Sequence, residues 1–216
     1  MPIVSHSTAT AGSHVAKARS YDKEYCIRFA CAAEPYRWLE SANNLHTQAV
    51  VLRECSGDFE PIYSVSRRRF LEYNLNNRAT FLLCTFAIEN AIKAFLIYEH
   101  PSWVSSGYLS HELRSHQLVQ LSEKSTLIPF RARDQWILES FEEGNATWMR
   151  YPCGLSIDDT MPERIMQGRL WNAYIRMMRG YGRKLVRLIG KVGWDQPYGE
   201  RSTWVMQGSW LGSPAP

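Results

Sequence analysis

The chain has 216 residues, a net charge of +4, 45% hydrophobic residues and 21% charged residues, which is enough apolar material for one domain with a proper core. It has no apolar run of the roughly 18 residues that a membrane span needs, and no apolar segment at its N-terminus. We therefore expect neither a membrane partner nor secretion, while the mild positive charge permits anionic partners without requiring them.

Cysteine usage is typical of a cytoplasmic protein with reduced thiols. The five cysteines are irregularly spaced, and no two of them form a Cys-x-x-Cys pair, so neither a disulfide framework nor a zinc site is expected. The phosphate-binding motifs G-x-x-x-x-G-K-[ST] and G-x-G-x-x-G are absent, as are H-E-x-x-H and G-x-S-x-G. The sequence predicts no metal and no cofactor, although chemistry assembled from distant residues stays open.

The sequence pattern divides the chain into three parts. Residues 1–20 have low hydrophobicity, which predicts a disordered N-terminus. Residues 21–192 repeat apolar residues at intervals of three and four, as helices do. Residues 193–216 are rich in Gly and Pro yet hold three tryptophans, so we expect an irregular tail of which part docks on the body or on a partner. The expected fold is all-α, an up-and-down bundle of four or five helices with disordered termini.

The first half of the bundle holds two predicted helices. Pro35 suits the start of the first one, which carries an apolar stripe. The stripe is Trp38, Ala42, Leu45, Ala49 and Leu52. After a loop at 55–61, the second helix is predicted from about Arg67 to Tyr98, and its second half is apolar on nearly every face, which is typical of a helix in the middle of a bundle. A strand is the competing interpretation of a short apolar run, but this run is too long and too rich in alanine, and we expect no sheet.

Three further helices are predicted in the second half. A short helix spans about 111–124, and another spans about 134–149. The last helix is expected to begin at the capping residues 158–159, with Pro162 in its first turn, and to run to 192. Its predicted apolar face is Ile165, Trp171, Ile175, Met178, Leu185, Leu188 and Val192. Its opposite face carries Arg169, Arg176, Arg183 and Arg187.

Polar residues within otherwise apolar segments are the candidates for a functional site. Glu89 and Lys93 interrupt the central helix at a spacing of four, so they can pair on one face. A buried charge is costly unless it is paired, so the two form either a structural pair or the wall of a site. His111 can cap a helix, bond a carbonyl or face a pocket as an acid or base. Arg150 can satisfy helix carbonyls or clamp a phosphate. These four are the catalytic candidates, provided that they face a common hollow.

Three segments occur in an order that resembles the core helices of HEPN-domain proteins (higher eukaryotes and prokaryotes nucleotide-binding). They are 86–94, 110–113 and 148–152, and together with the first helix the resemblance covers roughly residues 36–190. It implies a helical bundle that often forms a homodimer, and a setting in toxin–antitoxin or phage-defence systems, where many members are ribonucleases. Asn90 and Tyr151, which lie within these segments, are predicted binding residues.

The chain departs from the ribonuclease motif of that family, which is Arg followed after four to six residues by His. Lys93 precedes His100 at such a distance, but lysine lacks the fixed fork of arginine. We therefore expect a non-catalytic module that binds a nucleotide, RNA or a protein partner. Phosphate contacts are predicted for the arginines of the last helix, for which a solvated helix face is the alternative. A divergent ribonuclease or nucleotidyl-transfer enzyme and a structural oligomerising bundle are the alternative functions.

Overall fold

The computed structural model describes residues 21–55, 59–66, 68–74, 76–129, 132–145, 148–150, 156–158 and 163–213. Within these ranges the helices are α1 Lys23–Ala32, α2 Pro35–Glu54, α3 Asn77–Glu99, α4 Leu118–Glu123, α5 Gln135–Asn145 and α6 Gly168–Arg187. The strands are β1 Phe59–Ser64, β2 Arg69–Asn74, β3 Trp194–Asp195 and β4 Arg201–Ser202. The predicted all-α bundle is confirmed, with two small hairpins added to it.

Helix α3 is the centre of the bundle, because its sequence offers apolar side chains in every direction. Of its 23 residues, 15 are buried, and it packs along α2 and against α4, α5 and α6. The run at 81–98 is therefore helical, as its length and alanine content predict. The prediction that no run is long and apolar enough for a membrane span is wrong for α3, the one helix in the described ranges that could cross a membrane by length and composition alone. However, 78% of its apolar window is buried inside the protein.

Aromatic rings fix α5 and α6 side by side. Phe81 of α3 meets Phe141 of α5 with ring centroids 5.5 Å apart, and Phe141 in turn meets Tyr174 of α6 at 5.5 Å. Further along, Phe95 of α3 meets Tyr181 of α6 edge-on at 5.6 Å. Each such side chain contributes roughly 1.5–3 kcal/mol on burial, and the tilted arrangements suit the ring quadrupoles. The position of α5 against α6 is thus set by the core.

The prediction of a continuous helix from Arg67, with no sheet, is wrong. Strands β1 and β2 form an antiparallel hairpin in which Phe59 pairs with Asn74 and Ser64 with Arg69, and α3 begins only at Asn77. The ladder hydrogen bonds of the hairpin join residues up to 15 positions apart, which the local helical period does not register. The asparagine-rich stretch at 74–77 is a turn signal that marks the true boundary.

Helix boundaries in the second half also differ from the predictions. The segment 111–124 is a 3₁₀ turn at His111–Leu113 followed by α4. The helix is interrupted because the Ser115 hydroxyl accepts a hydrogen bond from the Gln117 backbone N–H. Helix α5 ends at Asn145 instead of about 149, and α6 begins at Gly168, not at 158–159. Residue 158 lies in a turn before α6, whereas 159 and 162 lie outside the described residues.

The predicted apolar face of α6 is partly wrong. Ile165 is 60% exposed because it precedes the helix, and Val192 is 46% exposed because it ends the π-helical turn Leu188–Val192 that follows α6. The buried face is rotated toward the aromatic and small residues. Its members are Ala173, Tyr174, Met178, Tyr181, Gly182, Leu185 and Val186.

The C-terminal tail docks on the helical body. The Trp194 indole is buried and donates to the Ile97 carbonyl of α3 at 3.2 Å. Trp204 stacks on Tyr36 of α2 with centroids 4.4 Å apart. The tail between 193 and 213 is mostly irregular, and its tryptophans hold it in place. The predicted disorder of 1–20 lies outside the described residues, as do 214–216.

A glycine allows the tail to approach α6 closely. A Cβ at Gly182 would lie 2.3 Å from the Trp210 carbonyl oxygen, far inside van der Waals contact. The next tail residue, Leu211, donates its backbone N–H to the Asn43 side chain of α2 at 2.7 Å. One side of α6 is therefore covered by the tail.

Candidate functional site

A cavity of about 1160 Å³ lies along α6, where α5 and the segment before it form the second wall. This volume exceeds the roughly 300–1,000 Å³ of ordinary small-molecule sites. Its charged lining residues are Arg169, Arg176, Arg179, Arg183 and Asp134. We call this cavity the arginine groove.

The arginines of the groove form a row along one helix. Arg169, Arg176 and Arg183 follow one another at seven-residue intervals, which places them on the same face of α6. At 1.5 Å per residue the row spans about 21 Å. All three are exposed, and neither they nor Arg179 makes an ion pair with another residue in the described part of the chain. A concave surface lined mainly by positive charge attracts anions.

One aromatic side chain stands beside the arginine row. Trp136 of α5 is half-buried and lines the groove, and the Arg169 guanidinium lies over its ring at 5.3 Å from the centroid. A guanidinium above an indole is a cation–π contact worth about 0.5–1 kcal/mol at an exposed position. The groove thus combines cations with a flat aromatic surface.

Tyr181 lines the groove and has a buried hydroxyl group without a partner among the residues that the structure describes. Tyr181 is 1% exposed and lines the groove, and its hydroxyl has no hydrogen bond to any described residue. Burial, and secondly the negative charge of Asp134, raise the pKa of Tyr181, so the hydroxyl stays protonated and is a donor at neutral pH. Leaving such a group unsatisfied costs about 1–3 kcal/mol, and a bound acceptor would remove that cost.

A second polar cluster lies on α3, away from the groove's lining residues. Lys93 Nζ donates to Glu89 Oε1 at 2.7 Å, and His116 Nδ1 lies 3.0 Å from Glu89 Oε2. The Glu89 and Lys93 side chains are only 7% and 6% exposed, whereas the His116 side chain is 61% exposed. Lys93 also lies over the Trp38 ring at 5.7 Å. The ion pair is thus buried but fully partnered, and His116 connects it to the surface.

The other predicted site residues are placed elsewhere. The His111 side chain is 84% exposed and pairs with Glu112 at 2.8 Å, so the contact with Glu89 is made by His116 instead. Arg150 donates to Asn145 at 3.1 Å and lies over the Phe86 ring at 5.5 Å.

Asn90 and the remaining predicted binding residues are also accounted for. Asn90 donates to the Phe86 carbonyl at 2.7 Å and lines a separate cavity of about 340 Å³. Tyr151 lies outside the described residues. Arg187 lines a third cavity, of about 570 Å³, beneath the tail and does not line the arginine groove.

The charge of one groove residue, Arg179, acts on a buried histidine of the core. His46 of α2 is 4% exposed, and its Nδ1 lies 2.9 Å from the Tyr174 hydroxyl. Burial, and secondly the charge of Arg179, lower the pKa of His46 to about 4, so the imidazole is neutral at pH 7. The Gly212 backbone of the tail lies against His46 and Arg179, since a Cβ there would be 3.4 Å from His46 Nε2. Arg179 therefore lines the groove, lies against Gly212 of the tail and acts on His46 through its charge.

Sequence reasoning found three of the groove arginines but missed Arg179, Trp136, Tyr181 and His116. Arg179 follows Arg176 by three residues, a spacing that places it next to the row on a helix, so its signal was present. Trp136 and Tyr181 have no local signal, because the packing of α5 on α6 brings them to the groove. No group of three or more His, Cys, Asp or Glu side chains among the described residues could hold a metal ion.

Comparisons of the chain with protein-family models, with curated proteins and with solved structures find no match. The fold and the arginine groove are therefore the basis for a functional proposal.

Proposed function

We propose that the protein is a non-catalytic module that binds RNA or nucleotides through the arginine groove. The observation that carries the proposal is the row of arginines that line one cavity, within the described residues, without a carboxylate paired to any of them. Arginine is suited to phosphate because its planar fork donates two parallel hydrogen bonds to two oxygens. Asp134 reduces the positive charge of the groove only in part.

The resemblance to HEPN-domain proteins supports the same proposal. The helical bundle, the segments at 86–94 and 110–113, and the missing Arg-x4-6-His motif fit a member that binds nucleic acid without cleaving it. The resemblance also implies a homodimer and a role in phage defence or toxin–antitoxin systems, and we include both in the proposal.

A filter-binding assay with labelled RNA at low and moderate salt tests the proposal. Each phosphate contact with a single strand contributes a slope of about −0.7 to the plot of log affinity against log salt. We expect Arg176→Ala to weaken binding and to make the slope shallower by about 0.7. Arg187→Ala is the matched control, because Arg187 is exposed on the same helix but does not line the groove.

Two outcomes would contradict the proposal. Binding that is absent, or that does not depend on salt, excludes the phosphate role. An equal loss in the Arg176 and Arg187 variants would mean that the arginines act as a diffuse charged face and that the groove has no special part.

His116 favours a second candidate function, a hydrolytic or transfer enzyme acting on RNA. The buried Glu89 carboxylate holds His116 Nδ1, which orients the imidazole and leaves Nε2 for proton transfer at the surface. RNA cleavage that is lost in His116→Ala and kept in His111→Ala would support this function. His111 is the matched control, since it is more exposed and pairs with Glu112. Intact RNA after long incubation with the unmodified protein would exclude it.

A further inference from the structure

We infer that the arginine groove takes an extended single strand of nucleic acid, with one base stacked on Trp136 and hydrogen-bonded by the Tyr181 hydroxyl. The inference rests on the proposed function, because it requires that the groove binds nucleic acid at all. It adds that the ligand is single-stranded, and it gives Trp136 and Tyr181, which lie outside the arginine row, a role in recognising a base.

The length of the arginine row argues against a mononucleotide. The guanidiniums of Arg169 and Arg183 belong to residues about 21 Å apart along the helix axis, with Arg176 midway. A ligand with one phosphate group reaches one part of that row and leaves the other cations without a counter-charge. A chain with a phosphate at every nucleotide follows the row, and the volume of about 1160 Å³ leaves room for several nucleotides.

Trp136 argues for a single strand over a duplex. Single-strand binding proteins combine a basic groove with aromatic side chains on which unpaired bases stack. In a duplex the base faces are already stacked on one another and do not reach such a ring. The Arg169 side chain is exposed, so its guanidinium can leave the Trp136 ring to a base and move to a neighbouring phosphate.

The Tyr181 hydroxyl fits a base better than a phosphate. The charge of Asp134 acts on this hydroxyl, and it disfavours a phosphate at the same place. A base is neutral and offers acceptors along its edge, so it can accept the hydrogen bond without that repulsion. The Tyr181 hydroxyl is buried from water, so a base reaches it only when a neighbouring side chain of the groove moves aside.

The test uses the full chain and a fluorescein-labelled oligouridylate of about ten nucleotides, followed by anisotropy. Three competitors are compared with it: uridine monophosphate, a duplex RNA of the same length and inorganic polyphosphate. We expect the oligouridylate to compete far better than the monophosphate and the duplex. Trp136→Leu is expected to weaken oligouridylate binding roughly 5- to 150-fold, the range of one lost base stack. Polyphosphate binding is expected to stay unchanged in that variant.

Two conservative variants keep the inference falsifiable if Trp136→Leu folds poorly. Trp136→Phe retains a flat ring and is expected to retain most of the affinity. Tyr181→Phe retains the packing against Phe95 and is expected to lose affinity for oligouridylate but not for polyphosphate. In addition, the fluorine NMR signal of 5-fluorotryptophan at 136, assigned with Trp136→Phe, is expected to shift when the oligonucleotide binds.

The outcomes separate the two proposals. If duplex or polyphosphate binds as tightly as the oligouridylate and neither aromatic variant discriminates between them, the inference is wrong while anion binding in the groove stands. If the oligouridylate, the monophosphate and polyphosphate all fail to bind at low salt, the proposed function fails as well. Loss in Trp136→Leu and Tyr181→Phe confined to the oligouridylate supports the inference.

Discussion

The buried His46 makes the stability of the protein depend on pH in a predictable window. Its pKa is lowered from 6.5 to about 4, first by burial and second by the charge of Arg179. Because the folded pKa is below the unfolded one, the unfolded chain takes up the proton first as the pH falls. The contribution of His46 is complete above pH about 6.5, is lost progressively down to pH about 4, and then stays constant.

The size of this effect follows from the shift. A change of one pKa unit corresponds to 1.36 kcal/mol, so the difference between 6.5 and about 4 amounts to about 3 kcal/mol. This is a large part of the 5–15 kcal/mol that typically separates folded from unfolded protein. Urea denaturation followed by tryptophan fluorescence at pH 7 and at pH 4 measures it.

His46→Gln is the reference variant, because glutamine does not titrate and can still hydrogen-bond the Tyr174 hydroxyl. Carboxyl groups that titrate in the same range are common to both proteins and cancel. We expect the free energy of unfolding of the unmodified protein to fall by about 3 kcal/mol more than that of the variant. A parallel loss in both proteins, or an NMR titration that gives His46 a pKa near 6.5, would refute the reasoning.

Two further predictions concern packing and use the same denaturation assay. Glu89→Gln leaves Lys93 buried without its counter-ion and is expected to lower the free energy of unfolding by about 3–5 kcal/mol. The double variant Glu89→Gln with Lys93→Met is expected to lower it by less. Equal losses in the two variants would show that the pair is not coupled. Gly182→Ala places a methyl group against the Trp210 carbonyl and is expected to cost about 1–3 kcal/mol or more. Gly168→Ala has open space around it and is expected to stabilise by about 0.4–1 kcal/mol, so similar effects at the two glycines would contradict the reasoning.

The sequence predicts a helix best where the helix's own residues show how deeply it is buried. The run at 81–98 is apolar on nearly every face, and the middle of a bundle accommodates such a helix. The β1–β2 hairpin was missed because its stabilising bonds are not local, and the start of α6 was misplaced because capping residues at 158–159 are equally good turn formers.

The candidate site was predictable only along single helices. The row of Arg169, Arg176 and Arg183 follows from helical spacing, which applies before any tertiary contact is known. The sequence predicts His111 as the candidate histidine, but His116 is the one that contacts Glu89. Which histidine reaches Glu89 depends on where the chain turns between the 3₁₀ segment and α4, and residue spacing does not show that turn. The HEPN resemblance stays a prediction, as do the ligand and the oligomeric state.

The docking of the tail on α6 has a consequence for the opposite side of that helix. The Trp210 carbonyl lies against Gly182, and Gly212 lies against Arg179, so the tail packs along the helix that carries the arginine row and supports it. A chain shortened after residue 192 would lose no residue that lines the groove, yet α6 would be held on one flank instead of two. The C-terminal residues thus support the helix that carries the arginine row, although none of them lines the groove.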